Sequence, residues 1–287
     1  MAKILDGRIV NEKIAEELRA EILRVKNSQN LRPKLVIIQV GDLPQSNAYI
    51  ARKKAFGEKI GAIVDHQKFP NDIREEKLIT HISSLNTDPT VTGIIVQMPL
   101  PDHLDKDKII ESITPVKDVD GLTSTNLKLL WEGKEDGYTP ATTKGVLTLL
   151  DYYKIPISGK NVVIVGRSFL VGKPTALALL NKDATVTVAH SKTKNLEEIT
   201  RQADILIIAA GKPKLITKDH VRAGQVVVDV GINVVGDEVG PRQLVGDVDF
   251  ENVSKIVDTI TPVPGGIGPM TVASLFENLL QAYKRQT

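Results

Sequence analysis

The sequence predicts an α/β protein of two domains, each built on parallel strands that alternate with helices. In both halves of the 287-residue chain, short apolar runs alternate with segments of helical periodicity, which is the order that builds a parallel sheet. Between the halves, residues 120–145 are rich in turn-forming pairs, which is typical of a domain junction. We therefore expect a first domain at 1–139, joined by a C-terminal helix at 270–287, a second domain at 140–269, and a cleft between them.

The first half opens with a long helix, because apolar side chains recur every three or four positions over residues 8–27 and so share one helical stripe. Buried strands are predicted at Leu35–Val40 and Ile94–Met98, where apolar residues run together. The more polar stretches Tyr49–Ile60 and Glu75–Leu85 keep a helical pattern. This part of the chain is therefore expected to form a parallel layer of helices and strands.

The second half repeats this alternation more regularly. Four apolar strands are predicted, at Val162–Val165, Thr185–Ala189, Ile205–Ala209 and Val226–Val230. Helices are predicted between and after them, at Thr175–Leu180, Leu196–Gln202 and Met270–Tyr283. This order indicates a doubly wound, nucleotide-binding domain. The periodicity of the last helix, taken alone, allows it to pack on either domain.

Composition excludes several kinds of function. The chain has no cysteine, which excludes a disulfide, a thiolate nucleophile and a cysteine-ligated zinc site. Its net charge of +2 and the absence of a basic run interleaved with aromatics argue against nucleic acid as a partner. No apolar run has the length of a signal-peptide core or a membrane span. We expect a cytoplasmic protein with small-molecule partners, no metal site and no membrane association.

The stretch from Val162 to Thr175 combines a buried strand, a tight turn and the start of a helix. Such a turn points backbone N–H groups and the positive end of the helix at a phosphate. Its glycines, Gly166 and Gly172, are six residues apart, which departs from the common GxGxxG spacing. Taken alone, the segment is about as compatible with an ordinary strand-to-helix turn as with a coenzyme site.

The end of the next strand favours one coenzyme. Sites specific for NAD usually place an acidic residue there to bind the ribose hydroxyls, whereas this strand ends in Ala189, His190 and Ser191. Ser191 and the cation Arg167 are suited to bind a 2′-phosphate through charge-assisted hydrogen bonds, so the predicted coenzyme is NADP. The predicted coenzyme-binding residues are Gly166, Arg167, Ser168, Ser191 and Ile232. His190 is assigned no role.

Several polar residues in the first half are candidates for catalysis. Ser46, Tyr49 and Lys53 follow one another at helical spacing, so a phenol and an ammonium group converge on one face. A lone YxxxK pattern is more often a solvated lysine beside a half-buried tyrosine, and short-chain dehydrogenases place it after the coenzyme motif, not before it. Gln97 ends a buried strand, and Asp120 lies in an acidic turn before the domain junction. Each of these features, taken alone, is explained by turn chemistry.

Five segments nevertheless occur together in a fixed order. They are YIARK at 49–53, VQMPLP at 96–101, KDVDG at 117–121, GRSFLVG at 166–172 and PGGIGPMT at 264–271. In this order and at these distances they resemble, over almost the whole chain, the bifunctional methylenetetrahydrofolate dehydrogenase/cyclohydrolase family. The resemblance implies an N-terminal α/β catalytic domain, a Rossmann-like NADP-binding domain and a cleft between them. The joint match outweighs the separate explanations of its parts.

The resemblance also implies an activity: NADP-dependent oxidation of 5,10-methylenetetrahydrofolate to the methenyl form, followed by hydrolysis to 10-formyltetrahydrofolate. This chemistry belongs to one-carbon metabolism and implies links to purine, methionine and histidine biosynthesis. The catalytic residues implied are Lys53, Tyr49, Gln97 and Asp120, with Lys53 as general acid/base. The folate-binding residues implied are Tyr49, Asp120, Pro264, Gly265 and Gly266. A homodimer is also implied, with Val234–Gly240 as a candidate edge hairpin.

Two alternatives remain open. A monofunctional NAD(P)-dependent methylenetetrahydrofolate dehydrogenase of the same fold would leave the methenyl product to another enzyme, and the motifs do not separate it from the bifunctional form. A regulatory module would bind NADP without turnover, and stoichiometric binding without an absorbance change would favour it. The reactive and orienting groups of Tyr49, Lys53, Gln97 and Asp120 favour an enzyme.

Overall fold

A computed structural model describes residues 1–29, 32–235 and 243–287 of the chain. The strands are, in chain order, β1 (Lys3–Ile4), β2 (Lys34–Val40), β3 (Ile63–Phe69), β4 (Gly93–Val96), β5 (Asn161–Val165), β6 (Thr185–Ala189), β7 (Ile205–Ile208), β8 (Val226–Asp229), β9 (Asn233–Val235), β10 (Gln243–Val245) and β11 (Thr259–Ile260). The helices are α1 (Gly7–Gln29), α2 (Pro44–Ile60), α3 (Glu75–Thr87), α4 (Lys106–Glu111), α5 (Ser124–Trp131), α6 (Ala141–Tyr152), α7 (Gly172–Leu180), α8 (Leu196–Arg201), α9 (Phe250–Val253) and α10 (Ile267–Gln286).

The chain divides into two compact units, each named here for its main sheet. The three-stranded unit comprises Glu12–Ala141 and Val272–Thr287. The six-stranded unit comprises Met1–Asn11 and Thr142–Thr271. The first eleven residues therefore group with the second half of the chain, which differs from the domain predicted at 1–139. The reason is that β1 pairs in parallel with β11, and a two-residue strand shows no periodic pattern in the sequence.

The three-stranded unit is built on the parallel sheet β3-β2-β4. In the central strand β2, every residue after Lys34 is buried, and all of β4 is buried. The buried stripe of α3, formed by Leu78, Ile82 and Leu85, packs into the same apolar core. The predicted parallel layer is confirmed. The carboxyl ends of β2 and β4 meet at one edge of the sheet, where ligands usually bind in such folds.

The six-stranded unit has the strand order β1-β11-β8-β7-β5-β6, and all of its neighbouring strands are parallel. Read from β6, the first five strands of the sheet are β6, β5, β7, β8 and β11. If β5 is numbered 1 and the strands of this sheet are numbered along the chain from there, their order is 2-1-3-4-5. In this doubly wound arrangement, β6 is added on one side of β5 and the later strands are added on the other side, starting with β7. The strand order therefore reverses between β5 and β7, and a ligand crevice opens at their carboxyl ends. The predicted doubly wound domain is therefore confirmed.

The helices predicted from periodicity are present with slightly different ends. The stripe that predicted α1 is buried at Val10, Ile14, Leu18 and Ile22. In the part of the chain that the structure describes, no helix is both long and apolar enough to cross a membrane.

Several elements were not predicted, among them the short helices α4 and α9 and the helix α6. β3 was not predicted because its sequence, IVDHQKF, is largely polar and its residues are mostly half-buried at the edge of the sheet. The helix α5 lies inside the stretch 120–145, for which turns were predicted. β9 and β10 pair in antiparallel fashion. The predicted hairpin Val234–Gly240 enters this pair, but its residues 236–240 lie outside the described part of the chain.

Candidate active site

Helix α2 carries Ser46, Tyr49 and Lys53 and is held against the sheet at its first turn. Gln39, a buried amide near the end of β2, donates a hydrogen bond through Nε2 to Oδ1 of Asn47 at 2.7 Å. Its Oε1 pairs with Nε2 of His66 at 2.7 Å. Because a buried amide left unpaired is costly, these bonds specify where α2 starts. Sequence reasoning missed this anchor, although the lone glutamine in the apolar run KLVIIQV was a signal for it.

Gln97 follows directly on β4 and meets Lys53. Its backbone N–H donates to the carbonyl of Ile38 at 2.8 Å, which keeps it in line with the sheet. Its Oε1 accepts a hydrogen bond from Nζ of Lys53 at 2.9 Å, and its Nε2 donates to the carbonyl of Met98 at 3.0 Å. The amide orientation is thus determined on both sides. Lys53 is presented with an acceptor that carries no charge.

The turn KDVDG contains two acids with different surroundings. A parallel bridge between Ile94 and Asp118 aligns this turn with β4. The buried carboxylate of Asp118 accepts hydrogen bonds from the backbone of Gly121 at 3.0 Å and Thr123 at 2.7 Å, and from Nδ2 of Asn126 at 2.8 Å. Asp118 therefore holds the turn together. The carboxyl of Asp120 interacts electrostatically with Lys53.

Lys53 and Asp120 perturb each other. Burial lowers the pKa of the Lys53 amine, and the charge of Asp120 partly opposes this shift. Burial raises the pKa of Asp120, the charge of Lys53 opposes that shift, and Asp118 adds to it. Removal from water disfavours charge on both groups, while each favours charge on the other. This combination suits a group that must gain and lose a proton near neutral pH.

Tyr49 lies one helical turn before Lys53 and is half-buried. Burial raises the pKa of its phenol, and the guanidinium of Arg52 lies over its ring at 5.7 Å from the centroid. The neutral ring offers a flat apolar surface with a polar edge. The structure thus groups Lys53, Gln97 and Asp120 by direct interaction, with Tyr49 on the same helix as Lys53. Ser46 is buried nearby and donates to the carbonyl of Met98 at 3.4 Å.

The turn after β5 is closely packed and depends on glycine. Gly166 has φ +134°, and a Cβ at this position would overlap the carbonyl oxygen of Ala209. A Cβ on Gly172, the first residue of α7, would overlap the carbonyl oxygen of Gly166. Oγ of Ser168 accepts from the backbone of Gly172 at 3.3 Å and of Val171 at 3.2 Å. The turn after β5 therefore packs closely against the start of α7 and the end of β7, as in turns that bind phosphates.

Arg167 and Ser191 lie at matching positions just after the neighbouring strands β5 and β6. Val165 of β5 pairs with Ala189 of β6, and Arg167 and Ser191 each follow two residues later. Both are exposed. His190 belongs to the turn after β6, where its Nδ1 accepts from the backbone of Lys192 at 3.1 Å. A cation and a hydroxyl thus follow two neighbouring strands at the carboxyl edge, without an acid at the end of β6.

The remaining predicted residues also belong to the six-stranded unit. Gly265 has φ +113°, and its carbonyl accepts from the backbone of Gly7 at 2.9 Å. A Cβ on Gly7 would overlap the carbonyl oxygen of Gly266, so the loop that begins at Pro264 lies tightly on the start of α1. Ile232 is half-buried just after β8. Among the described residues, no group of three or more His, Cys, Asp or Glu side chains is arranged to hold a metal ion.

Asp118→Asn and Asp120→Asn are expected to differ in stability, although the two positions lie in one turn. In Asp118→Asn an amide group faces N–H donors, and each buried donor left unsatisfied costs about 1–3 kcal/mol. The folded protein favours the neutral form of Asp120, so ionisation near neutral pH costs stability that asparagine does not incur. The free energy of unfolding, measured by urea denaturation, should fall for Asp118→Asn and stay equal or rise for Asp120→Asn. Equal losses would contradict the distinction.

Two family models match successive parts of the chain. Residues 5–120 match the model of the catalytic domain of tetrahydrofolate dehydrogenase/cyclohydrolase, and residues 140–287 match the model of its NAD(P)-binding domain. A relative from Lactobacillus acidophilus, the bifunctional protein FolD, is 46% identical over 286 residues, covering 100% of this chain and 99% of its own.

Two solved structures extend the comparison. The bifunctional FolD methylenetetrahydrofolate dehydrogenase/cyclohydrolase from Campylobacter jejuni is 45% identical, covers 100% of both chains and has a TM-score of 0.95. The Trypanosoma brucei methylenetetrahydrofolate dehydrogenase-cyclohydrolase, solved with NADP and an inhibitor, is 36% identical, covers 99% of this chain and 98% of its own, and has a TM-score of 0.95. The chain belongs to the tetrahydrofolate dehydrogenase/cyclohydrolase family.

Proposed function

We propose that this protein oxidises 5,10-methylenetetrahydrofolate to 5,10-methenyltetrahydrofolate with NADP⁺ and then hydrolyses the product to 10-formyltetrahydrofolate. The observation that carries the proposal is the Lys53 amine, bonded to Gln97 and coupled to Asp120. A dehydrogenase that released the methenyl form would need no proton-transfer group in this place. The relatives described above are bifunctional, which also favours the two-step activity over a monofunctional dehydrogenase.

Lys53 is proposed as the general acid/base of hydrolysis. Addition of water to the methenyl carbon and opening of the ring both require proton transfers, and an ordinary lysine, with a pKa of about 10.4, is rarely neutral at physiological pH. Burial lowers the pKa of Lys53, so a larger fraction is neutral. Gln97 fixes the position of the amine without adding a charge. The charge of Asp120 favours the protonated form while burial favours the neutral form, which suits an amine that both gives and takes a proton.

Asp120 and Tyr49 are proposed to orient the pterin. A carboxylate can accept hydrogen bonds from the exocyclic amine and adjacent ring N–H, and such donors would favour its charged form. The ring of Tyr49 is suited to stack on the pterin. Because the carboxylate of Asp118 accepts three hydrogen bonds that hold the turn, Asp120 is the acid of KDVDG that is left for the substrate. The folate contacts of Pro264, Gly265 and Gly266 remain predictions.

The residues at the carboxyl edge of β5 and β6 fit NADP. The turn has no room for a Cβ at Gly166, and Arg167 and Ser191 offer a cation and a hydroxyl where an NAD site usually has an acid. Gly166, Arg167, Ser168, Ser191 and Ile232 are the residues that would hold the coenzyme. When bound, NADP⁺ supplies the acceptor for a hydride. The chain contributes binding, alignment and discrimination between coenzymes.

Assembly, location and pathway are part of the same proposal. A homodimer is proposed, with the antiparallel pair β9–β10 as a candidate contact. The lack of cysteine fits a reducing, cytoplasmic location. The product is an activated formyl donor, which suits a role in one-carbon metabolism, with purine, methionine and histidine biosynthesis as its destinations.

Arg167→Ala is expected to weaken NADP⁺ binding selectively. Loss of a charge-assisted hydrogen bond costs about 1.5–3 kcal/mol, or about ten- to a hundredfold in affinity. NAD⁺ lacks the 2′-phosphate that Arg167 is proposed to bind, so its affinity should not change. Titration calorimetry with both coenzymes measures the effect. Lys182→Ala is the matched control, because it removes an exposed cation just before β6, at the opposite edge of the sheet. Equal losses for NAD⁺ and NADP⁺ would refute the phosphate assignment.

Lys53→Met is expected to separate the two reactions. Loss of an acid/base group removes about 10²- to 10⁴-fold in rate, whereas hydride transfer depends mainly on alignment, so methenyl product should accumulate. Single-turnover reactions followed at the wavelengths of reduced coenzyme and of methenyl product distinguish chemistry from binding. Asp120→Ala, measured beside it, is expected to lose both reactions because the pterin is misplaced.

The matched control for Lys53→Met is Lys54→Met, since Lys54 is the exposed neighbour on the same helix. This variant should keep both activities. Unchanged hydrolysis in Lys53→Met would remove Lys53 from the mechanism, and equal loss of both steps would assign it to substrate positioning alone.

A further inference from the structure

Two buried acids at the carboxyl edge of the six-stranded sheet take no part in the reaction proposed above. Asp229 ends β8 and Asp247 follows β10. Oδ1 of Asp229 accepts from the backbone of Gly231 at 2.9 Å and of Asp247 at 3.1 Å, and Oδ2 accepts from that of Val248 at 2.9 Å. Burial raises the pKa of Asp229 to about 7. Asp229 thereby connects the end of β8 to the chain that carries Asp247.

Asp247 joins two separate loops. Its Oδ2 accepts from the backbone N–H of Ala210 at 2.7 Å and of Gly211 at 2.8 Å. Its Oδ1 accepts from the backbone N–H of Lys212 at 2.8 Å and from Nδ2 of Asn233 at 2.8 Å. Four donors fill the acceptor capacity of one carboxylate. Three of them come from the loop after β7, and the fourth comes from the start of β9.

The two carboxyl groups are enclosed by backbone. A Cβ on Gly231 would overlap the carboxylate of Asp247, and a Cβ on Gly246 would overlap Oδ2 of Asp229. Glycine at these two positions lets the acids lie directly against the chain. Buried polar groups that are fully bonded in this way make the local backbone rigid.

The loops held by Asp247 adjoin the predicted coenzyme residues. The loop after β7 begins beside Ala209, whose carbonyl packs against Gly166 in the turn after β5. β5 and β7 are the strands between which the crevice opens. Ile232, in the loop after the neighbouring strand β8, lies between Gly231, which bonds to Asp229, and Asn233, which bonds to Asp247. The loops after β7 and β8, which lie on one side of the crevice, are thus connected to the same pair of acids.

We propose that Asp247 is a positioning residue for the coenzyme, which holds loops 210–212 and 231–233 in the shape that accepts the dinucleotide. The inference rests on the proposed function, because it deepens the coenzyme site described there. The N–H groups of 210–212 are already donated to Asp247, so this loop contributes shape rather than phosphate binding. Because the contact is separate from Arg167 and Ser191, it acts on NAD⁺ and NADP⁺ alike.

The test is Asp247→Asn, which keeps the size of the side chain but turns an amide group toward N–H donors. We expect the Kd values for NADP⁺ and NAD⁺, measured by titration calorimetry, to rise by the same factor of about ten or more. Hydrolysis of methenyltetrahydrofolate in the absence of coenzyme should keep its kcat and KM within about twofold. A merely structural role would lower the melting temperature and the hydrolase activity together.

Asp249→Asn is the matched control, since Asp249 lies two residues further on and its carboxylate accepts from Asn252 on the surface. It should bind both coenzymes as the wild type does. If Asp247→Asn does not fold, Asn233→Ala removes one of the four donors, and its coenzyme Kd should rise about threefold. Unchanged coenzyme affinity in a folded variant would overturn the inference. A wild-type protein that neither binds NADP⁺ nor hydrolyses the methenyl substrate would instead overturn the proposed function.

Discussion

The active-site residues of the three-stranded unit are arranged around one constraint, the burial of the Lys53 amine. An ammonium group removed from water is strongly disfavoured unless the protein supplies an acceptor and an opposite charge. Gln97 supplies the acceptor at 2.9 Å, and Asp120 favours the ammonium form to the extent that its own burial, which raises its pKa, leaves it charged. Each must be held in place by something else, so β4 aligns Gln97 and the bonds of Asp118 shape the turn that carries Asp120. The fold around Lys53 therefore determines both its position and its readiness to exchange a proton.

The two units use the same device in different places. KDVDG at 117–121 and GDVDF at 246–250 both contain Asp-Val-Asp. In each, the first acid is buried and its carboxylate accepts from backbone N–H groups, which belong to its own turn for Asp118 and to the loop after β7 for Asp247. In each, the second acid is left for another role, which is coupling to Lys53 for Asp120 and a surface bond to Asn252 for Asp249. A buried carboxylate that gathers backbone donors thus shapes the edge of both sheets.

Much of this fold could be predicted from the sequence because its strands and helices carry strong patterns. The apolar runs of β2, β5 and β7 and the stripe of α1 follow directly from periodicity. The strand β3 could not be predicted in this way, since an edge strand with polar residues lacks an apolar run. The pairing of β1 with β11 could not be predicted either, because it joins two-residue segments that are distant in the chain.

The candidate site was predictable in part, for a related reason. The spacing of Tyr49 and Lys53 and the strand-end position of Gln97 are local features, so the sequence displays them. The difference between Asp118 and Asp120 does not follow from residue type, because it depends on which of the two carboxylates the folded chain brings to the N–H groups of Gly121, Thr123 and Asn126. The same holds for Asp247, whose partners lie far away along the chain. Sequence patterns identify chemical groups, whereas their environment depends on tertiary contacts.

The pKa of the Lys53 amine tests the central claim most directly. It can be followed by NMR titration of the protein labelled at lysine side chains, with Lys53→Met identifying the resonance. We expect a pKa clearly below the ordinary value of about 10.4, because burial disfavours the charged amine. We also expect a further decrease in Asp120→Asn, because the charge that favours the ammonium form is removed. A Lys53 amine that titrates at the ordinary value, or that does not respond to Asp120→Asn, would contradict the proposed role of burial and of Asp120.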